Sequence, residues 1–468
     1  MAFSHLITDK EVMFRKALLT LVLVSVTAFT CDTFPQNLKA DGYKGIWFSF
    51  DEKFEYGYKF SGGLGTYSPQ HRPLAIYSPE AGKTFFVYGG TTSDKERHLQ
   101  IMVSYFDHRT RTVPKPVIVY DKQGVSEPHD NASMAIDEDG YIWIFVSGRL
   151  RTRPGLIFRS HRPYSIESFE QVTTMEMTFP QSWCLNSNLM MVFIRVRLAP
   201  ELYLAISPDG REWGNVKRLA SMGGNFHATG IHGNRLFVVF NFHPEGNLDG
   251  RTNLYLIQTD DMGETWKTVD DKVIKTPLTD VQNEALIRDF RKENKRVYLI
   301  DLSFDREGNP VILAIISNSF RPGPEGDPRE WMVINWKNNR WNFNKVCEST
   351  HNYDGGVFYL RDDGWCVIGP TEPGPSKYGT GGEIGLWVSM DEGLTWTKER
   401  DVTRNSPVNN SYVRRPVAAH RDFYAFWADG DADKMSRSRL YFTNEKCSKV
   451  WVLPYDMKRE NQRPVRVR

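Results

Sequence analysis

TYSPQHRPLAIYSPEAGKTFFVYGG, from Thr66 to Gly90, joins a polar cluster to two apolar strands across a glycine-bearing turn. The stretch from Gly124 to Gly148, GVSEPHDNASMAIDEDGYIWIFVSG, repeats this design with a more acidic turn. Such a turn between two short apolar runs is typical of a β-hairpin. Five later stretches share the pattern: FPQSWCLNSNLMMVFIRVR from Phe179, GGNFHATGIHGNRLFVVFNF from Gly223, VYLIDLSFDREGNPVILAIIS from Val297, HNYDGGVFYLRDDGWCVIGP from His351 and NNSYVRRPVAAHRDFYAFWADG from Asn409.

The seven hairpin units predict the fold class. A single hairpin cannot bury both of its faces, so neighbouring sheets must supply the core. Repeats with a period of roughly 40 to 60 residues are typical of β-propellers. We therefore predict an all-β protein, a seven-bladed β-propeller, in which residues 38–468 form a single domain.

A second motif occurs in three turns, SPDGREW from Ser207, TDDMGETW from Thr259 and SMDEGLTW from Ser389. These turns resemble the Asp-box turns, or BNR repeats, of sialidase-like propellers. In such a turn the Asp accepts main-chain hydrogen bonds, the Gly supplies a positive φ and the Trp packs between blades. We expect their role to be structural.

The N-terminus has the order of a secretory signal peptide. Arg15 and Lys16 precede an uncharged, largely apolar stretch at residues 17–29. This run is too short for a comfortable membrane span. We predict a signal peptide over residues 1–30, with Met13 as an alternative start, and a mature protein that is periplasmic or secreted.

The cysteines do not indicate a disulfide framework. Cys31 directly follows the apolar run and is a candidate lipid-anchor cysteine, although the two residues before it disfavour that role. The remaining cysteines form no CxxC pair, and a chain of this size does not depend on disulfides. They are Cys184, Cys347, Cys366 and Cys447.

Composition limits the partners of the chain. The 59 basic and 57 acidic residues leave a net charge of +2, and no basic block of the kind that binds nucleic acid is present. Aromatic residues make up 13% of the chain, which suits both a β-rich core and stacking against sugar rings. We expect a monomer that does not bind nucleic acid and has no stable membrane span.

Polar residues precede the first strand of each hairpin unit. In a propeller these strand entrances converge on the axis, although they are far apart in sequence. His71 lies eleven positions before Gly82, and His129 lies eleven positions before Gly140. The two histidines are thus equivalent in adjacent units, which favours a functional role for at least one of them over simple polar packing at a strand entrance.

Other strand entrances carry groups that suit a uronic-acid-bearing sugar. Arg binds carboxylates, Asn and Gln bind hydroxyl groups, and aromatic rings stack on sugar faces. Solvation at the surface is the competing interpretation for each of these residues. We predict substrate binding by Gln70, Arg72, His129, Asn410, Arg414 and Arg415.

A metal site is less favoured. His227, His232 and Cys184 could together bind zinc, but their spacing matches no standard zinc motif, and ordinary polar packing explains them better. We predict no metal and no cofactor in the reaction, while a structural metal stays open.

Four stretches of the sequence resemble the BNR-repeat propeller family of bacterial glycan-degrading proteins. The resemblance spans nearly the whole chain after residue 40, and it specifies the fold more strongly than the reaction. The family includes α-L-rhamnosidases that act on rhamnose α-1,4-linked to glucuronate in arabinogalactan proteins, and ulvan-type and rhamnose–glucuronate lyases. The stretches are GYKGIWF from Gly42, SGGLGTYSPQHRPLAIYSPEAGKTFFVYGG from Ser61, EPHDNASMAIDEDGYIWIFVSG from Glu127 and RRPVAAHRDFYAFWADGD from Arg414.

For the lyase branch, the resemblance implies a His at the position of His129, a second His after the paired strand and a Tyr in the next blade. This sequence has Arg149 at the second position and Val196 where the Tyr is expected. A guanidinium is not a useful base near neutral pH, and Val has no proton to transfer. We therefore expect the elimination machinery to be lost.

For the rhamnosidase branch, the resemblance implies a His at the position of His71 that carries the hydrolysis largely alone. An imidazole with an ordinary pKa of about 6.5 could protonate the leaving oxygen or activate water, assisted by the glucuronate of the substrate. No obvious carboxylate pair of the usual glycosidase kind stands out. Carboxylates at strand entrances are Glu127, Asp130 and Asp354.

Three hypotheses follow for an exported protein that binds a uronic-acid-containing plant or algal glycan. The first is an α-L-rhamnosidase that releases terminal rhamnose from glucuronate, with His71 as the catalytic residue. The second is a polysaccharide lyase that cleaves next to a uronate by β-elimination. The third is a non-catalytic glycan-binding propeller, because propellers have many unrelated functions.

Overall fold

The computed structural model describes residues 34–49, 52–123, 128–214 and 216–468. The predicted signal peptide, the candidate lipid-anchor Cys31 and Glu127 lie outside the described residues. Residues Gln36–Arg468 form one unit by their mutual contacts. No helix of the described residues has the length and apolar character that crossing a membrane requires.

Strands dominate the described residues, and the helices among them are single 3-10 turns, which confirms the predicted all-β class. The 3-10 turns are Pro128–Asp130, Pro244–Gly246, Leu248–Gly250 and Pro324–Gly326. The strands are, in chain order, β1 (Gly45–Ser49), β2 (Lys53–Phe54), β3 (Gly57–Tyr58), β4 (Ser61–Gly63), β5 (Ala75–Ser78), β6 (Lys83–Gly90), β7 (Gln100–Asp107), β8 (Val113–Pro114), β9 (Val117–Asp121), β10 (Ala132–Ile136), β11 (Ile142–Val146), β12 (Gly155–Ser160), β13 (Phe169–Met175), β14 (Thr178–Leu185), β15 (Asn188–Val196), β16 (Pro200–Ser207), β17 (Lys217–Ala220), β18 (His227–His232), β19 (Arg235–Phe242), β20 (Thr252–Thr259), β21 (Trp266–Lys267), β22 (Val273–Ile274), β23 (Leu286–Arg288), β24 (Arg296–Phe304), β25 (Pro310–Ser317), β26 (Arg329–Lys337), β27 (Arg340–Ser349), β28 (Val357–Arg361), β29 (Gly364–Pro373), β30 (Gly382–Ser389), β31 (Thr397–Asp401), β32 (Asn409–Arg414), β33 (Ala425–Gly430), β34 (Ser436–Ser438), β35 (Leu440–Thr443), β36 (Val450–Val452), β37 (Asn461–Gln462) and β38 (Val465–Arg466).

Each of the seven predicted hairpin stretches contains an antiparallel strand pair. The pairs are β5–β6, β10–β11, β14–β15, β18–β19, β24–β25, β28–β29 and β32–β33. The prediction of the hairpins is therefore confirmed, because the turn residues and the apolar runs act locally.

Further strands extend these hairpins into antiparallel sheets. Four sheets have four strands each, in the orders β5-β6-β7-β9, β10-β11-β12-β13, β14-β15-β16-β17 and β24-β25-β26-β27. A fifth sheet contains β18 to β22 with β23 on β20, and a nine-stranded sheet contains β28 to β33 together with β35, β36 and β38. In the nine-stranded sheet, β30 and β32 pair through Gly382 and Asn410 alone among the described residues.

Backbone pairing joins the beginning and the end of the unit. Ile76 in β5 forms a parallel bridge with Val417, which lies in the connection between β32 and β33. The Tyr77 N–H donates to the Val417 carbonyl at 3.0 Å, and the Val417 N–H donates to the Ala75 carbonyl at 2.9 Å. Strand β1 also pairs with β34. The first and last sheets are thus in direct contact.

The three Asp-box turns have the predicted structure. In SPDGREW, Asp209 Oδ1 accepts the main-chain N–H groups of Arg211 and Glu212 at 2.8 and 3.1 Å. Gly210 has φ of +70°, a conformation that glycine adopts at little cost. The Trp213 ring lies 5.8 Å from Phe145 of the preceding sheet. The turns therefore pack one sheet against the next, as the motif indicates.

Candidate active site

A cavity of about 570 Å³ brings together residues from several hairpin units. Its wall combines aromatic rings with cationic and amide groups, a composition that suits a carbohydrate. Of the described lining residues, Glu52 alone carries a carboxylate, and its Oε2 accepts a hydrogen bond from Lys59 at 2.7 Å. The polar and aromatic residues of the wall include Tyr67, Gln70, His129, Arg149, Phe179, Phe226, Arg251, Tyr298, Asn352 and Tyr353.

His129 lies in the 3-10 turn that precedes β10 and is half-buried at the cavity wall. Its Nε2 is 3.4 Å from the hydroxyl of Tyr67. The turn is fixed from behind by Asp130, which is fully buried and forms ion pairs with Lys122 at 2.9 Å and with Arg153 at 2.8 Å. The imidazole is therefore held at the wall by charged groups that lie outside the cavity.

His71 lies behind His129. It is 0% exposed and is not among the residues that line the cavity. The Ser68 N–H donates to Nδ1 at 3.2 Å, so the ring proton is on Nε2, which donates to the main-chain carbonyl of His129 at 3.1 Å. Burial lowers the pKa of His71 to about 3. A neutral ring with both nitrogens bound to the backbone can position His129 but does not meet a ligand in this arrangement.

Phe179 packs against both histidines. Its ring centroid lies 5.2 Å from that of His71 and 5.4 Å from that of His129. The residue has φ of +53°, which is costly for a bulky side chain, and its N–H donates to Ser147 Oγ at 3.1 Å. The strained backbone aims the ring at the two imidazoles.

Burial and nearby cations keep His129 neutral. Burial lowers the pKa of His129 well below its ordinary value, and the charge of Arg149 lowers it further. Burial also raises the pKa of the Tyr67 phenol, against the opposing effect of Arg251. At neutral pH the pair therefore consists of an unprotonated imidazole and a protonated phenol.

Arg251 provides a buried cation at the cavity wall. It is 4% exposed, its Nη2 donates to the Tyr353 hydroxyl at 2.8 Å, and its Nε donates to the Leu248 carbonyl at 2.7 Å. The guanidinium lies 4.6 Å from the Tyr298 ring centroid and 5.1 Å from that of Phe226. The hydrogen-bond partners of Arg251 in the protein are neutral, so the guanidinium charge can pair with an anion.

Arg149 and Val196 line the same cavity as His129, as the sequence predicts. Arg149 follows β11 and is half-buried, whereas Val196 ends β15. The two positions at which the resemblance implies a His and a Tyr therefore do line the cavity, and here they carry a guanidinium and an isopropyl group.

Gln70 is the other predicted binding residue that the structure brings to the cavity. Its Oε1 accepts the main-chain N–H of His227 at 3.1 Å, and its carbonyl accepts from Gln181 Nε2 at 3.0 Å. These bonds connect the first, third and fourth hairpin units. Gln70 consequently has a structural role in addition to its position at the wall.

Arg72 and Arg415 do not reach the cavity. Both form ion pairs with Asp301, which is 2% exposed, and Arg415 Nε lies 2.8 Å from Asp301 Oδ2. They line a separate recess of about 50 Å³ together with Trp183. The two guanidinium groups that we expected to bind a carboxylate of the substrate therefore bind the carboxylate of Asp301 instead.

Arg414 and Asn410 also serve the fold. The Arg414 guanidinium donates to the main-chain carbonyls of Ser68 and His71, and burial lowers its pKa to about 9. Asn410 Oδ1 accepts the indole N–H of Trp427 at 2.9 Å, and its Nδ2 donates to the Gly382 carbonyl at 3.0 Å. Neither residue lines the cavity, because neighbouring units use both side chains.

The structure does not assemble the zinc set that the sequence suggested. His227 is fully buried, and its Nε2 lies 3.3 Å from the Val192 carbonyl. Within the described ranges, His227, His232 and Cys184 do not form a group with converging ligand atoms. Cys184 is a free thiol.

Sequence reasoning missed Tyr67, Arg251, Tyr298 and Tyr353. Tyr67 occurs in the opening stretch, four residues before His71, so its position at a strand entrance was visible. Arg251 and Tyr353 belong to different hairpin units, and their contact depends on how the sheets are placed side by side. Sequence spacing alone carries no signal for that contact.

The sequence profile of the BNR repeat-containing family matches residues 91–349, which is more than half of the chain. The chain belongs to the BNR repeat-containing family. Among curated proteins, no sequence matches this BNR repeat protein.

Two solved structures show how this BNR repeat protein compares in fold. An ulvan lyase of polysaccharide lyase family 25, solved with -[GlcA(1-4)Rha3S]- bound, is similar with a TM-score of 0.69 and 16% identity, over 87% of this chain and 96% of that chain. A Penicillium chrysogenum α-L-arabinanase complexed with arabinobiose is more distant, with a TM-score of 0.40 and 12% identity over 65% and 91% of the two chains. At 16% identity the likeness to the ulvan lyase shows the fold alone.

Proposed function

We propose that this BNR repeat protein is an exported glycoside hydrolase that releases terminal L-rhamnose α-1,4-linked to D-glucuronic acid on arabinogalactan-type glycans. The observation that carries the proposal is the cavity wall, where Arg251 and Arg149 accompany a neutral His129. Such a wall suits an anionic sugar. It does not suit the usual pair of glycosidase carboxylates, since Glu52 is the one acid among the described lining residues.

The uronate carboxylate binds at Arg251 in this proposal. A guanidinium that is buried and stacked on aromatic rings offers charge-assisted hydrogen bonds at low desolvation cost. Arg149 supplies a second cation on the same wall. The rings of Tyr298 and Phe226 offer apolar surface for a sugar face.

Asn352 offers a hydrogen-bond acceptor for a sugar hydroxyl. Its Nδ2 donates to the Ser319 carbonyl at 2.8 Å, which fixes the amide. Its buried Oδ1 has no hydrogen-bond partner among the described residues, although Asn352 lines the cavity. A buried acceptor without a partner is costly, and a ligand hydroxyl would satisfy it.

The reaction uses His129 as a general base. The neutral imidazole accepts a proton from water as the water oxygen forms a bond to C1 of rhamnose. The bond between C1 and the glucuronate O4 breaks, O4 leaves as a hydroxyl by taking a proton from solvent, and the His129 imidazolium then returns its proton to solvent. His71 contributes by holding the His129 carbonyl; the direct catalytic role that the sequence assigns to His71 stays a prediction.

Hydrolysis is favoured over elimination by the strength of the available bases. Elimination removes a proton from carbon, which requires a stronger base than the activation of water. The pKa of His129 is well below its ordinary value, and the raised pKa of Tyr67 keeps the phenol protonated. Arg149 and Val196 supply no replacement base.

Elimination next to a uronate is the second candidate. The observation that favours it is the 3.4 Å contact between the Tyr67 hydroxyl and His129 Nε2, since a Tyr and a His can share the base and acid steps of a lyase. The ulvan lyase of similar fold is solved with a glycan that contains glucuronate and sulfated rhamnose.

We propose that residues 38–468 form one seven-bladed propeller. The seven hairpin pairs support this count if the nine-stranded sheet divides between β30 and β32, where a single residue pair connects them. The pairing of Ile76 with Val417 supports closure between the first and last blades. The N-terminal charge and hydropathy order supports export, and the mature protein is proposed to act as a monomer.

Incubation with gum arabic and with ulvan tests the proposed reaction. Free rhamnose from gum arabic, without a product that absorbs as a conjugated uronate, supports hydrolysis. A conjugated product supports the lyase instead, and retention on a glycan column without any product supports a binding protein. His129→Ala is the matched inactive control, and the exposed His232→Gln is the matched active control.

A further inference from the structure

Two histidines and an aspartate form a cluster that lies away from the cavity. His108, His420 and Asp422 each present a ligand atom, and these atoms lie within 4.8 Å of one another. All three residues are half-buried, and none of them lines the cavity described above. The proposed reaction has no use for them.

The cluster lies where the first and last sheets of the unit meet. His108 directly follows β7, whereas His420 and Asp422 lie in the connection between β32 and β33. The parallel bridge between Ile76 and Val417 brings this connection against the first sheet. The cluster therefore joins segments from opposite ends of the sequence.

The hydrogen bonds of the two imidazoles leave the Nδ1 lone pair of His108 for a ligand. His108 Nε2 is 2.8 Å from Thr84 Oγ1, and its buried Nδ1 has no hydrogen-bond partner among the described residues. His420 Nδ1 accepts the Asp422 N–H at 3.1 Å, so the proton of the neutral ring is on Nε2, and binding of a metal through either nitrogen replaces this bond. A metal-binding histidine commonly donates its other N–H to a neighbouring oxygen, and Thr84 Oγ1 is such an oxygen for His108 when Nδ1 binds the metal.

The surroundings favour neutral imidazoles beside a carboxylate. The His108 and His420 ring centroids are 3.8 Å apart, so two protonated rings would repel each other. Tyr77 packs against both rings at 5.2 and 5.0 Å. The Asp422 carboxylate pairs with Arg111, whose Nη2 lies 3.8 Å from Oδ1.

We propose that His108 Nδ1, an imidazole nitrogen of His420 and a carboxylate oxygen of Asp422 bind a Zn²⁺ ion, with water as the fourth ligand and with loss of the bond from the Asp422 N–H to His420. Two imidazoles and one carboxylate are a ligand set that zinc accepts, and a tetrahedral site needs ligand atoms that converge from different directions. The ion joins the first sheet to the last connection, so its role is to hold the two ends of the fold together. Binding to the folded chain alone raises the melting temperature by mass action.

Zinc titration of the full chain after chelator treatment tests the site. We expect one Zn²⁺ per chain, a higher melting temperature when zinc is added, and a tetrahedral ligand-field spectrum when Co²⁺ replaces zinc. His108→Gln and His420→Gln should each weaken binding by at least the roughly 10- to 100-fold that the loss of an outer-shell partner causes. His232→Gln, an exposed histidine outside the cluster, should bind zinc as the wild type does.

Three results would overturn the proposal: no zinc uptake by the wild type, an octahedral cobalt spectrum, or variants that bind zinc with wild-type affinity. If a variant fails to fold, the cobalt spectrum of the wild type decides. The zinc-free protein should still bind its glycan, because the cluster does not line the cavity, so the outcome is independent of the proposed reaction.

Discussion

His71 Nε2 lies 3.1 Å from the main-chain carbonyl oxygen of His129, and both imidazoles pack against the Phe179 ring. His129 is at the cavity wall, whereas His71 is fully buried behind it. The two histidines that are equivalent in sequence are thus unequal in position, and they are coupled through the backbone.

This coupling predicts non-additive mutants. His129→Ala should lower kcat for rhamnose release by roughly 10²- to 10⁴-fold, the contribution of one acid–base group. His71→Ala should also cause a large loss, because the His129 carbonyl loses its donor. The double variant should be much less impaired than the product of the two losses. Kinetics on one rhamnosyl–glucuronate substrate measure this, and near-wild-type activity of either single variant would contradict it.

Arg251 should govern affinity for the uronate. A hydrogen bond to a charged group contributes about 1.5–3 kcal/mol, so Arg251→Ala should lower kcat/KM by about 10- to 100-fold. Arg251→Lys should recover little of the lost kcat/KM, since an ammonium group cannot reproduce the planar guanidinium that stacks on the aromatic rings. Arg288→Ala, which breaks an exposed pair with Glu293, is the control. Equal kcat/KM on a substrate with a neutral sugar in place of glucuronate would count against this role.

Asp301 should matter for stability. It is buried between Arg72 and Arg415, and removal of one partner from a buried ion network costs about 3–5 kcal/mol. Asp301→Ala should lower the free energy of unfolding by that amount, measured by urea denaturation. Glu293→Ala at the exposed pair should change it by less than about 1 kcal/mol. A small effect of Asp301→Ala would show that the two arginines find other partners.

Acid should destabilise the fold through buried neutral histidines. Burial lowers the pKa of His71, His227 and His351 from 6.5 to about 3 in each case. Below pH 6.5 the unfolded chain binds these protons and the folded chain does not, so stability is complete above that pH and falls between pH 6.5 and 3.

Each such histidine contributes up to about 1.4 kcal/mol per pH unit to the slope. His227→Gln should therefore give a shallower dependence of the unfolding free energy on pH than the wild type. An unchanged slope for this variant would mean that His227 titrates alike in both states.

Local sequence patterns predicted much of the fold. The hairpins and Asp boxes depend on residues a few positions apart, such as Asp209 and Gly210, and these turns formed as expected. Contacts between sheets could not be predicted from local sequence patterns. The sequence could not show that Asp301 would occupy Arg72 and Arg415, or that Arg251 would meet Tyr353, because these pairs depend on the placement of whole sheets.

The candidate site shows the same division. Pattern matching placed Arg149 and Val196 near His129, and the structure agrees. The sequence pattern could not show that His129 lines the cavity and that His71 is buried behind it, because the spacing of a repeat does not depend on burial.

The most direct test of the account is the product formed from a rhamnose-capped, glucuronate-containing glycan. After complete digestion, chromatography should show free rhamnose with water added across the glycosidic bond, and ultraviolet absorbance should show no conjugated uronate. Loss of rhamnose release in His129→Ala should accompany this result. A conjugated uronate product from the wild-type protein would contradict the proposed hydrolysis. Such a product requires a base in the His129 cavity that can remove a proton from carbon.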